Sequence, residues 1–123
     1  MRDYKKIRAF HYADQFVLAV YQSTRSFPKE ELFGLTSQIR RSAVSIAANI
    51  AEGASRQHQK DHLHFLYIAR GSAAEAEYLL SLASRFSYLE AKKYKELELL
   101  VQETSKILYG LISSVTKEAG KRL

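Results

Sequence analysis

The chain has 123 residues, enough for one domain with a real core, and its 46% hydrophobic and 26% charged content is that of an ordinary globular protein. Zero cysteines exclude disulfides, thiolate metal sites and cysteine nucleophiles. No apolar run approaches the roughly 18 residues of a membrane span, and a net charge of +6 permits a polyanionic partner without requiring one.

The basic surplus is uneven: residues 1–41 hold eight Lys/Arg against four acids, residues 72–123 eight against seven. The first six residues are charged and lead into no apolar signal-peptide stretch, so a bacterial-type cytoplasm is expected. One proline and five glycines leave few places to break a helix. Helix-period apolar repeats run through the whole chain, and strand-type alternation does not.

The first helix is predicted over 9–25, with Ala13, Phe16, Val17, Val20 and Thr24 on one stripe. Pro28 forces its end, because proline removes an amide donor and disfavours helix in the residue before it. Lys29–Phe33 can form a short turn before Gly34. The second helix follows over 35–55 on Leu35, Ile39, Ala43, Ile46 and Ile50, with a second apolar flank at Val44, Ala47 and Ala51. The third is predicted over 59–87 along Leu66, Ala69, Ala73, Ala76, Leu80 and Ala83, closed by Ser87 to Leu89. The fourth spans 91–118, with Leu97, Val101, Thr104, Leu108, Leu111 and Val115 inward. Short connections make consecutive helices antiparallel, so the predicted fold is all-α: one antiparallel up-and-down four-helix bundle covering residues 1–123.

The second helix carries a polar row, Gln38, Arg41, Ser45, Asn49, Glu52 and Arg56, at three- and four-residue spacing. It reads either as a solvated face or as a polar seam at a subunit interface or anion site. In the third helix Glu75 falls among Ile68, Leu79, Leu82 and Phe86. It either reaches solvent or pairs with an arginine of another helix or another subunit, since an unpaired carboxylate among apolar groups is costly. Beside it run Tyr67, Ala74, Tyr78 and Arg85, a composition that suits an oligomer interface or base stacking. Together these two helices offer more apolar surface than one bundle closes, which favours self-association as a ring or dimer.

His58 and His62 have the i,i+4 spacing of paired metal ligands, but no third ligand stands at a fixed distance; the alternative is a solvent-facing histidine cluster. No nucleophile elbow, phosphate loop or dinucleotide fingerprint is present, so no cofactor, no metal and no enzymatic activity are expected. The better lead is basic. Arg2, Lys5, Lys6 and Arg8 surround Tyr4, and Arg40, Arg41 and Arg56 follow on the second helix. They are candidates for nucleic-acid phosphates if one face gathers them, and a solvated charged end otherwise.

Tyr4-Lys5-Lys6, Phe10, Ala13 and Phe27-Pro28-Lys29-Glu30-Glu31 resemble the start of the four-helix bundle proteins encoded in bacterial 23S rRNA intervening sequences. Residues Gly34 to Ile46, Asn49-Ile50-Ala51-Glu52-Gly53, Phe65-Leu66, Ile68-Ala69 and Arg70-Gly71-Ser72 look like that family's most recognisable stretch. The resemblance implies a ring-like homo-oligomer, typically a pentamer, with RNA or DNA as partner. A structural scaffold binding another protein through the second and third helices is the alternative. Three positions depart from the family pattern: Ala47 stands where proline is frequent, Phe10 for a usual tryptophan, and His58 for a usual serine cap.

Overall fold

The structure, a computed structural model, describes residues 2–121. Four helices follow in order: α1 (Arg8–Thr24), α2 (Leu35–Ala54), α3 (Gln59–Arg85) and α4 (Ala91–Lys121). Single 3-10 turns at Tyr4–Lys6 and Lys29–Glu31 precede α1 and α2. α2 packs on α1 and α3, and α4 on α3 and α1, while the diagonal pairs do not approach. This is the square cross-section of an up-and-down bundle.

Each break has a local cause. Thr24 Oγ1 donates to the Val20 carbonyl at 2.8 Å, and the chain leaves the helix ahead of Pro28. Phe27 is buried there and meets the ring of Tyr88 at 5.5 Å. Gly34 precedes α2 without a capping side chain of its own, and Glu31 Oε1 accepts the Leu35 amide at 3.1 Å instead. His58 offers no cap to α3, consistent with the lost serine. α2 runs unbroken through Ala47.

α3 ends at Arg85, two residues earlier than the periodicity predicts. Ser87 adopts φ 63°, and the amides of Ser87 and Tyr88 reach back to the carbonyls of Ser84 and Ala83 at 2.9 Å. Those two bonds form a Schellman motif, with serine in the left-handed position that glycine usually fills.

The core joins Phe16 and Val20 of α1, Ile39, Ile46 and Ile50 of α2, Leu66 and Leu80 of α3, and Val101 and Leu108 of α4, all fully buried. On α4 the inward position is Ile112, and Leu111 is only half-buried, because the stripe follows 108–112–115. No helix among the described residues is long and apolar enough to cross a membrane.

Candidate nucleic-acid interface and uncovered faces

The antiparallel order puts the amino terminus, the α2–α3 connection and the end of α4 at one end of the bundle. Arg2 Nη1 donates to the Arg56 carbonyl at 2.8 Å, so the first residues are tied to the end of α2. Asp3 accepts the Lys5 amide at 3.0 Å and shapes the first turn, which leaves Lys5, Lys6 and Arg8 exposed. Arg56 pairs with Glu52 and lies over the Phe65 ring at 4.6 Å, while Arg8 lies 5.6 Å from the Tyr12 ring centre. Tyr4 meets Phe10 edge-on at 4.7 Å. Lys60, which the sequence reading passed over, is exposed on the first turn of α3 at this same end. Its placement follows from the antiparallel order.

Arg40 and Arg41 do not join this cluster. At about 1.5 Å per residue they lie roughly 20 Å along α2 from its far end. Arg40 Nε donates to Thr24 Oγ1 at 2.9 Å, with its guanidinium 4.7 Å from the Tyr21 ring. With Tyr21, Leu32, Phe33, Ser37, Arg41 and Val44 it lines an open groove of about 490 Å³. Phe33 is 93% exposed. The apolar pair Leu32-Phe33 in a connection was the signal for this groove, since a turn needs neither residue.

The polar row of α2 is both solvated face and seam. Gln38, Arg41 and Glu52 are exposed, and so is Arg56, which lies beyond the end of α2 and not on it. Ser45 and Asn49 are half-buried: the Ser45 hydroxyl meets Ser72 at 2.7 Å, and Asn49 Nδ2 donates to the Ser45 carbonyl at 2.8 Å. Glu75 is exposed, with Ile68 and Phe86 also exposed and Leu79 buried, so in one copy it reaches solvent. Tyr67 and Tyr78 are exposed as well, each beneath an arginine: Arg70 is 5.0 Å from the Tyr67 ring centre and Arg85 5.9 Å from that of Tyr78.

The two histidines separate. His58 is exposed, whereas His62 is 1% exposed, and neither of its ring nitrogens has a hydrogen-bond partner. This overturns the solvent-facing histidine cluster: the stripe 62–66–69–73 carries His62 into the core. Desolvation, with the Arg2 guanidinium adding to it, pushes its pKa down to about 4. Among the described residues, no three His, Asp or Glu side chains gather as a metal site.

The chain is similar in structure to a crystallised protein with unknown function from the S23 ribosomal protein family of Bacteroides thetaiotaomicron. The two are 29% identical with a TM-score of 0.78, covering 85% of this chain and 95% of the other. No curated protein matches it. The family described as 23S rRNA-intervening sequence protein matches residues 5–110, nearly the whole bundle, so the chain belongs to the 23S rRNA-intervening sequence protein family.

Proposed function

We propose that the chain is a non-enzymatic protein that works as a homo-oligomer and binds structured RNA or DNA by its phosphates. The observation that carries this reading is the gathering of Arg2, Lys5, Lys6, Arg8 and Arg56 at one end of the bundle. Lys5, Lys6 and Arg8 are exposed there on a rigid turn and first helical turn, as phosphate contacts require. Aromatic rings lie among these cations. The printed descriptions, a 23S rRNA-intervening sequence family and an S23 ribosomal protein family, favour RNA. A ring such as the pentamer of the family resemblance repeats the basic end around one axis and multiplies the contacts.

Fluorescence anisotropy against structured RNA and duplex DNA at two salt concentrations tests this. With about five phosphates neutralised, affinity falls by roughly two to three orders of magnitude between about 50 and 200 mM salt. Absence of binding at low salt, or binding indifferent to salt, overturns the reading.

A second reading, a scaffold for a protein partner, is favoured by the exposure of Phe33 beside the Tyr21–Val44 groove. Capture of one defined protein that survives nuclease and is lost with Phe33→Ser is its test.

A further inference from the structure

Lys60, Tyr67, Ala74, Tyr78 and Arg85 recur along α3 at intervals of seven, seven, four and seven residues, so they share one side of the helix. All five are exposed. That side adjoins α4: Ala74 and Tyr78 line an open groove of about 470 Å³ with Tyr94 and Glu98 of the neighbouring helix. Gln102 Nε2 of α4 donates to Glu77 Oε1 at 3.5 Å and sets the level of one helix against the other. Seven residues on along α4 and seven back along α3, Tyr109 therefore lies level with Arg70. Tyr67, Tyr78 and Tyr109 are 46%, 58% and 64% exposed. Arg70 stands 5.0 Å from the Tyr67 ring centre and Arg85 5.9 Å from that of Tyr78. The exposed apolar side chains Ile68 and Phe86 each follow a strip residue by one position and point about 100° away from it. The carboxylates of the groove are already engaged: Glu77 takes the Gln102 amide, and Glu98 the Tyr94 hydroxyl and the Lys95 ammonium. Both are half-buried, so the exposed charges along the strip are Lys60, Arg70 and Arg85.

We propose that this α3–α4 strip is a stacking track for unpaired nucleotides, whose bases lie on Tyr67, Tyr78 and Tyr109 while their phosphates meet Lys60, Arg70 and Arg85. The inference rests on the nucleic-acid reading above and names the class of nucleotide that is bound. Two relationships select this occupant. The strip begins at Lys60, a cation of the basic end, so one strand can pass from the phosphate contacts there onto the rings. At about 1.5 Å per residue, Tyr67 lies about 10 Å and Tyr78 about 27 Å along α3 from Lys60. The strip also sets cations beside rings, which is what a polyanion of flat bases requires. A tyrosine ring or a guanidinium plane stacks on a base of any sequence, and the guanidinium charge meets the phosphate. A paired duplex keeps its base faces stacked on one another and offers the tyrosines none. An apolar protein surface would bury Arg70 and Arg85 unpaired.

Anisotropy titrations of the full chain with a labelled oligouridylate of about twelve nucleotides and with a blunt RNA duplex test the track. The wild type binds both. Tyr67→Ala and Tyr78→Ala each weaken the single strand by about 5- to 150-fold and leave duplex affinity unchanged. The slope of log K against log salt stays that of the wild type, because stacking releases no counterions. Tyr67→Phe and Tyr78→Phe keep the ring and bind the single strand as the wild type does. Alanine variants that hold the single strand undiminished overturn the track, and so do variants that weaken strand and duplex alike. Loss of both probes together with a fall in mass on a sizing column assigns the strip to a contact between copies and overturns it as well. A wild type that binds the duplex but not the single strand overturns the track alone. One that binds neither at low salt overturns the nucleic-acid reading itself.

Discussion

The Tyr88 hydroxyl donates to Glu31 Oε2 at 2.9 Å while Oε1 of the same carboxylate accepts the Leu35 amide at 3.1 Å. One side chain thus caps α2 and ties it to the turn between α3 and α4. Glu31→Ala leaves a first-turn amide without its acceptor and lowers stability by about 1 kcal/mol. Tyr88→Phe keeps the ring against Phe27 and has the smaller effect. Urea denaturation of the three proteins gives the order wild type, Tyr88→Phe, Glu31→Ala, and a reversed order contradicts the capping role. The bond to Glu31 also holds the Tyr88 hydroxyl above the usual tyrosine range, so its ultraviolet titration moves down in Glu31→Ala.

The four helices were legible because their apolar spacing is regular, and the predicted ends lie within three residues of the observed ones. What the sequence concealed is where single side chains go. Glu31 reads as part of a short turn, and nothing in its neighbours places the carboxylate on another element. Arg40 and Arg41 read as one basic pair, but adjacent helical residues point about 100° apart: one packs on Tyr21, the other faces outward. His62 was legible and misread. Its spacing to His58 draws attention to metal, while its spacing to Leu66 puts it on the core stripe.

His62 makes the fold sensitive to acid. Folded, its pKa is about 4, against the ordinary histidine value of 6.5 in the unfolded chain. Between those values the unfolded state binds the extra proton, so stability is full above pH 6.5 and falls as pH drops towards 4. The gap from 6.5 to about 4 corresponds to roughly 3 kcal/mol at about 1.36 kcal/mol per pKa unit. His62→Leu removes a buried ring whose nitrogens have no partners and is neutral or stabilising at pH 7. Denaturation at pH 7 and pH 4 checks it: the wild type loses far more than the variant. Equal losses would place the acid sensitivity elsewhere.

Two helical glycines, Gly53 in the last turn of α2 and Gly71 inside α3, have opposite consequences. A Cβ at Gly53 would stand 3.0 Å from Phe65 Cβ and 3.2 Å from the His62 carbonyl oxygen, and that backbone atom cannot swing away. Gly53→Ala therefore overpacks the α2–α3 crossing and costs about 1–3 kcal/mol, despite the better helix former. At Gly71 a Cβ meets nothing within 4 Å, and alanine there stabilises the dissociated chain by about 1 kcal/mol. Urea curves at high dilution separate the two. A destabilising Gly71→Ala would mean that α3 bends or packs differently at that point.

The basic end predicts a salt signature that total charge does not. Lys5 and Lys6 are exposed on the first turn and outside the core, so Lys5→Gln/Lys6→Gln leaves the thermal midpoint in place. If both contact phosphates, the slope of log K against log salt becomes shallower by about 1.8 for duplex DNA or about 1.4 for single strands. The matched control Lys92→Gln/Lys93→Gln removes the same charge at the opposite end, on the first turn of α4. An effect of total charge alone changes both double variants alike, because each removes two positive charges. A local interface changes only the first. Anisotropy titrations of the wild type and both variants across the same salt series decide between them, and equal slopes for the two variants remove the basic end as the binding surface.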